Sequence, residues 1–235
     1  MRLEGSVALV TGANRGIGAA LCRALFERGA RKIYAAVRSP QTVTDPRLTP
    51  LRVDVTDQAS IDAAATSAPD VSILVNNAGR GGGGTKVLGG SLDDARATME
   101  VNYFGTWTVS RAFAPILAAN GGGAIINVLS VASWWALDIA PGYSASKAAG
   151  WSLTNSMRAI LRDQGTLVVG VHAGFVDTDF SAWTDAPKIS ADSVAAQTMA
   201  ALENDADEVL ADDFTRDTRA ALSGDIAGVH RITPW

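Results

Sequence analysis

Short apolar runs separated by amphipathic stretches recur along this chain. Ser6–Thr11, Lys32–Arg38, Leu48–Val53, Val71–Val75, Ala124–Leu129 and Leu167–His172 are rich in aliphatic and β-branched residues, with few polar interruptions. Strands that read as continuous apolar runs are covered on both faces. Between them lie stretches with helical spacing. In Gly16–Arg28 the apolar residues Ile17, Leu21, Ala24 and Leu25 share one face, and Gly29 is placed to cap that helix. Thr56–Thr66, Leu92–Leu117, Gly142–Arg162 and Ala191–Glu203 show the same period, and Glu208–Leu210 adds a short last strand. This alternation predicts an α/β fold: one doubly wound parallel sheet of about seven strands with helices on both faces. Ser39–Pro50 breaks the rhythm, because Pro40, Pro46 and Pro50 exclude a regular crossover helix and leave a loop or one helical turn. No linker divides the chain, so residues 1–235 are expected to form a single domain.

Composition narrows the class. Of 235 residues, 47% are apolar, enough to fill a substantial core. Only 19% are charged and the net charge is −4, which offers no broad attraction to nucleic acid or acidic membranes. Ala112–Leu137 carries no charged residue and is long enough to span a bilayer. Pro115, Asn120, the run Gly121-Gly122-Gly123 and Asn127 nevertheless divide it into a helix end, a turn and a strand. Met1–Gly5 passes into a strand without an apolar signal segment. Cys22 is the lone cysteine and sits in an apolar helix pattern, so core packing and a reducing compartment are expected. The expectation is a soluble, cytoplasmic protein. His172 and His230 lack Cys or His partners at ligand spacing, so no catalytic metal is expected.

Two stretches carry chemistry. Thr11-Gly12-Ala13-Asn14-Arg15-Gly16-Ile17-Gly18 falls between the first strand and the first helix. Gly12, Gly16 and Gly18 let the backbone turn sharply and approach a pyrophosphate at the helix N-terminus. A plain tight turn is the competing explanation, and the strand–helix position favours nucleotide binding. Twenty residues beyond Gly18 stands Arg38, where a cofactor with a free ribose 2′-hydroxyl is usually met by Asp or Glu. No carboxylate occurs between Arg28 and Asp45. Arg38 and Arg15 can instead bind a 2′-phosphate through charge-assisted bonds, which favours NADP(H) over NAD(H). The second stretch is Tyr143-Ser144-Ala145-Ser146-Lys147. On a helix, positions i and i+4 share a face, and an ammonium beside a phenol favours phenolate, lowering its pKa towards the range of an acid–base catalyst. A surface pair would look the same in isolation.

With these motifs in place, the chain resembles the short-chain dehydrogenase/reductase family up to about Thr178. The glycine motif matches Thr11–Gly18, and the family's Asn-Asn-Ala-Gly motif is present as Asn76-Asn77-Ala78-Gly79. Its helix asparagine matches Asn102, and its serine, 13 residues before the tyrosine, matches Ser130. Asp54-Val55 matches the pair that contacts adenine. The resemblance implies a Rossmann-type fold and a catalytic tetrad of Asn102, Ser130, Tyr143 and Lys147. Tyr143 would exchange the proton, Ser130 would hydrogen-bond the same oxygen, and Lys147 would favour tyrosinate and bind the nicotinamide ribose. Asn102 would hold a water linking Lys147 to solvent. Asn14, Ile17, Asn77, Ala78 and Gly79 join the cofactor-binding set by the same resemblance, as do Gly174, Val176 and Thr178. Ser133, ten residues before Tyr143, competes for the serine role but fits the spacing less well and could line the substrate pocket.

The chain also departs from the family pattern. His172-Ala173-Gly174-Phe175-Val176-Asp177-Thr178 lacks the usual proline before glycine, which removes a fixed φ and predicts a more mobile loop. Arg80 with Gly81–Gly84 reads as a flexible surface loop, or as a border of the substrate entrance. Trp134 and Trp135 after Ser130, with Phe175 and Trp183 in a substrate loop of about 175–192, suit an apolar or aromatic carbonyl or its alcohol. Core or subunit packing explains any one of them equally well. The expected activity is that of an NADP(H)-dependent carbonyl reductase or alcohol dehydrogenase. A biosynthetic reductase or epimerase with the same tetrad and a non-catalytic NADP sensor are the rivals. Family members commonly pair through Leu92–Leu117 and Gly142–Arg162, which implies a homodimer or homotetramer.

Overall fold

The computed structural model describes residues 1–82, 86–89 and 91–224; Gly83, Gly84 and His230, singled out above, lie outside the described residues. β1 (Val7–Thr11) turns through glycines into α1 (Gly16–Glu27), followed by β2 (Lys32–Val37), a single 3-10 turn at Pro40–Thr42, β3 (Thr49–Arg52), α2 (Gln58–Ser67) and β4 (Ile73–Asn76). α3 (Asp93–Met99), a π-helical segment (Glu100–Gly105) and α4 (Thr106–Ala119) then run end to end into β5 (Ala124–Val128), α5 (Pro141–Leu161) and β6 (Leu167–His172). β7 (Val176–Asp177), β8 (Ile189–Ser190), α6 (Ala191–Glu203), β9 (Glu208–Leu210) and α7 (Asp213–Ala221) complete the order.

Seven strands form one sheet in the order β3-β2-β1-β4-β5-β6-β9, every pair parallel. β7 and β8 make a separate two-stranded ladder. The apolar runs behave as their composition demands. Alternate residues of β1 enter opposite cores: Ala8 and Val10 pack with Leu21 and Leu25 of α1 and Met199 of α6. Val7 and Leu9 pack with Ile61 of α2, Phe113 of α4 and Leu153 of α5. Each such side chain contributes about 1.5–3 kcal/mol on burial. The winding reverses between β1 and β4, and the carboxyl ends of strands at that point flank the crevice where ligands bind in such sheets.

Three elements differ from expectation. The single helix expected over Leu92–Leu117 is broken by the π-helical segment, which turns Asn102 inward to bond the Arg80 backbone. Gly105 permits that path, since an added Cβ would lie 2.8 Å from Val55 Cγ2. The proline-rich Ser39–Pro50 stretch forms just one 3-10 turn before the edge strand β3. α7 was not foreseen; Asp212 caps it by accepting from Thr215 N at 2.8 Å.

A buried amide chain crosses the sheet. Asn76 Nδ2 donates to Asn127 Oδ1 at 2.8 Å and to Ser110 Oγ of α4 at 2.9 Å, while Asn127 Nδ2 donates to Thr154 Oγ1 of α5 at 2.9 Å. Removing one member strands its buried partners. Asn127→Ala is expected to destabilise the protein by about 1–3 kcal/mol, read as a lower urea midpoint at unchanged m-value.

Candidate active site

The phosphate end is built by close approach. Gly12 and Gly16 adopt φ of +66° and +55°. A Cβ on Gly18 would lie 2.2 Å from Gly12 O, so glycine is what lets α1 start against the turn. Thr11 Oγ1 accepts from Asn77 N at 2.9 Å and Ala78 N at 3.0 Å and donates to Val75 O at 3.2 Å. Asn77 Nδ2 reaches back to Thr11 O and Gly12 O at 2.9 and 3.1 Å. Asn14 Nδ2 donates to Thr42 Oγ1 at 3.1 Å, tying the glycine turn to the 3-10 turn after β2. Thr178 crosses over the turn, its Cγ2 3.3 Å from where a Gly16 Cβ would be.

These parts open into a cavity of about 1090 Å³. Gly12, Asn14, Arg15, Gly16 and Ile17 line it with Arg38, Asp54, Val55, Asn77, Ala78 and Gly79; so do Gly174, Val176 and Thr178. Ser130, Tyr143 and Lys147 line the same cavity. A dinucleotide with a 2′-phosphate fits this donor set. Open backbone occupies the turn, a guanidinium rather than a carboxylate follows β2 at Arg38, and Asp54 supplies a carboxylate acceptor. That carboxylate is held below its ordinary pKa by hydrogen bonds from Thr56, and accepts from Thr56 Oγ1 at 2.7 Å. Arg15 also pairs with Asp179 at 3.5 Å, but both side chains are exposed and the pair is weak.

Lys147 is buried at 8% exposure, its Nζ donating to Val128 O at 2.8 Å and lying 5.7 Å from the centre of the Tyr143 ring. Burial pulls the ammonium down to about 8. Burial also pushes the Tyr143 phenol up to about 12, with hydrogen bonding to Ser130 pulling the other way. The expected lowering of the phenol by its neighbouring cation is not what this site shows: burial raises the phenol, and the group that opposes it is Ser130. Ser130 starts a 3-10 turn (Val131–Ser133), its Oγ accepting from Ala132 N at 3.1 Å and donating to Ala173 O at 3.4 Å. Its carbonyl faces His172 Nδ1 at 3.1 Å.

Some candidates stand elsewhere. Ser133 is buried behind the wall, donating from Oγ to Lys147 O at 3.1 Å. Trp134 is turned away from the cavity and stacks on His172 at 4.0 Å, since the tight 3-10 turn sends adjacent indoles in different directions. Trp135, Phe175 and Trp183 do line it. Asn102 lies off the wall, with both N–H groups committed to Arg80 O and Ser146 Oγ at 2.9 Å. Any relay through its side chain runs through Oδ1 alone, which already accepts from Arg80 N. Gly18 shapes the turn without facing the cavity. Phe180 and Phe214 line the cavity unforeseen. The Asp212 cap was the available signal for Phe214. The loop lacking proline is restrained, because Gly174 N donates to Asp212 Oδ2 at 2.7 Å and Val131 N to Ala173 O at 2.9 Å. Among the described residues no group of three or more His, Cys, Asp or Glu could hold a metal, and no helix is long and apolar enough to cross a membrane.

Comparison with known proteins identifies the family. The short chain dehydrogenase family model matches residues 6–188. The chain is 37% identical over 195 residues to galactitol 2-dehydrogenase (L-tagatose-forming) of Cereibacter sphaeroides, covering 77% of this chain and 75% of that protein. It is 31% identical over 194 residues to the NADP-dependent 3-hydroxy acid dehydrogenase of Schizosaccharomyces pombe, with 77% and 75% covered. A crystal structure of a short chain dehydrogenase from Burkholderia cenocepacia J2315 in complex with NADP is 43% identical, with a TM-score of 0.93 over 98% of each chain.

The buried lysine has a stability consequence. Unfolded, Lys147 keeps its proton to about 10.5; folded, only to about 8. Between those values the unfolded chain binds more protons, so stability rises with pH through that window, and below it the whole penalty stands. Tyr143 acts oppositely above about pH 10, where the folded state holds its proton longer and stability falls as pH climbs to about 12. Lys147→Met is expected to be more stable than wild type at pH 7 by about 1–3 kcal/mol, with the difference shrinking towards pH 10. Urea unfolding at pH 7 and at about pH 9.5 reads both values.

Proposed function

Because this chain belongs to the short-chain dehydrogenase/reductase family of oxidoreductases, we propose that it interconverts a ketone or aldehyde and an alcohol with NADP(H). One observation carries the reading: the glycine turn and Arg38 line the same cavity as Ser130, Tyr143 and Lys147. The relative named as NADP-dependent and the NADP-bound structure support the cofactor choice, as does the arginine that follows β2 where a carboxylate would serve a 2′-hydroxyl.

NADP(H) supplies or takes up the hydride when bound. The chain's own groups do the rest. Arg38 and Arg15 hold the 2′-phosphate, Asp54 and Val55 the adenine, and Asn77, Ala78 and Gly79 shape the wall beside it. Gly174, Val176 and Thr178 hold the carboxamide end, and the Lys147 ammonium binds ribose hydroxyls. As the carbonyl oxygen gains negative charge, Ser130 Oγ and Tyr143 OH donate to it, and Tyr143 passes its proton across. Burial favours the protonated phenol, the form that donates in the reducing direction. Alcohol oxidation runs the same path with Tyr143 as base. The Phe180 ring lies 5.9 Å from that of Tyr143, and Trp135, Phe175, Trp183 and Phe214 line the same cavity, so the proposed substrate is an apolar or aromatic carbonyl, unlike the 3-hydroxy acid and galactitol in the relatives' names. Large apolar side chains exposed at Phe104 of the π-helical segment, Trp107 of α4 and Ile160 of α5 support pairing of two copies through these helices.

Two measurements test this reading, both following NADPH absorbance with a panel of aryl ketones. Tyr143→Phe is expected to lower kcat by about 10²–10⁴-fold with bound NADPH retained; turnover near wild type would refute the assigned acid. Arg38→Asp is expected to raise the kcat/KM ratio of NADH over NADPH by at least about 10-fold, and a wild type that prefers NADH removes the cofactor assignment.

A further inference from the structure

α7 begins at Asp213 and lies beyond residues 6–188, the span matched by the family model. Its first turn nevertheless reaches the cavity. Phe214 lines the wall and meets Trp135 edge to face, with ring centres 5.5 Å apart and planes at 79°. Trp135 follows the turn that Ser130 starts, and the aromatic pair lines the same cavity as Tyr143, the proposed proton donor. The pair is held from behind by one carboxylate. Asp212 Oδ1 accepts from Thr215 N at 2.8 Å and Oδ2 from Gly174 N at 2.7 Å. A Cβ on Gly174 would lie 3.2 Å from both Asp212 Oδ1 and Phe214 Cδ1, so the loop after β6 and the first turn of α7 are packed as one unit. Thr215 and Thr218 are fully buried and fix the inner face of α7.

Resting on the carbonyl-reductase reading, we infer that Phe214 is a specificity-determining residue, which sets the size of the planar apolar group a carbonyl substrate carries, and that Asp212 is its positioning residue. Edge-to-face pairs hold a defined separation between rings, and the space they leave is read by shape. The chemistry favours an uncharged substrate. Arg80, a charged side chain on the same cavity, has its guanidinium paired with Asp94, and the wall around Trp135 and Phe214 offers rings rather than ion-pairing groups. A substrate with one ring would fit against the pair, and a fused second ring would press on Phe214.

The test compares 2-acetylnaphthalene with acetophenone, each with NADPH, in wild type, Phe214→Ala and Phe214→Leu. The naphthyl-to-phenyl ratio of kcat/KM is expected to rise by about 10-fold or more in Phe214→Ala and by less in Phe214→Leu. A ratio within about twofold of wild type in both variants, or a fall, overturns the inference. Asp212→Ala keeps every ring and is expected to shift the same ratio in the same direction through KM, with Asp212→Asn restoring part of it by keeping one acceptor oxygen. A wild-type ratio in Asp212→Ala overturns its positioning role. Calorimetric titration of the same two ketones into the NADP⁺-loaded proteins gives the affinity ratio without turnover. No reduction of any ketone by the wild type sinks the reductase reading, whereas an unchanged affinity ratio in Phe214→Ala sinks the assignment of Phe214.

Discussion

The site depends on a knot of hydrogen bonds where β1 and β4 part. The connections that follow β1 and β4 leave this point towards opposite edges of the sheet, and the crevice between the two carboxyl ends needs rigid edges. The Thr11 hydroxyl uses both lone pairs on Asn77 N and Ala78 N and its proton on Val75 O. The Asn77 amide returns two bonds to Thr11 O and Gly12 O. α1 can begin there only because Gly18 carries no Cβ to strike the Gly12 carbonyl. One threonine, one asparagine and two glycines thus turn a topological gap into a fixed cradle for an anion.

The opposite wall is rigid for a different reason. Ser130 is held by backbone bonds that reach the end of β6, its carbonyl facing His172 and its hydroxyl facing Ala173. His172 is fully buried and pushed down to about 3, so it stays neutral there. Lys147 is placed by α5 in a setting that disfavours its own charge. A purely structural protein would replace that ammonium with an apolar side chain. The proposed site role of Lys147 accounts for a charge held there at a loss of stability.

Much of this was legible from residues. Apolar strands covered on both faces and helices of period 3.6 leave strong periodic signals, and they predicted the seven parallel strands that the sheet contains. The Gly12–Gly18 turn and the Tyr143–Lys147 pair are local, so spacing marks each one, and the family resemblance is what joined them in one expected site; Gly12, Gly16, Tyr143 and Lys147 line one cavity. What escaped was set by tertiary geometry. Periodicity could not show one extra residue per turn at Glu100–Gly105, because the apolar pattern runs on through it. Trp134 and Trp135 are neighbours in sequence, and only the 3-10 turn decides which of them meets the cavity. The sign of the Tyr143 shift needed its depth of burial, which no spacing encodes. α7 is polar along most of its length, so apolar periodicity gave it no weight.

The missing proline shows how a local rule can mislead. Ala173 lacks the ring that would restrict φ, and taken alone that predicts a looser loop. Here tertiary hydrogen bonds supply the restraint: Val131 N donates to Ala173 O, Gly174 N to Asp212, and Ala211 N to His172 O. The two devices differ in consequence. A proline stiffens one residue independently of its surroundings, whereas a carboxylate shared with the cap of α7 links the loop beside the proposed cofactor site to the helix bearing Phe214. Motion of either element must break or stretch a bond at Asp212. The loop after β6 and the first turn of α7, proposed to border the cofactor and the substrate, are therefore linked through one side chain outside the span where the family pattern is matched.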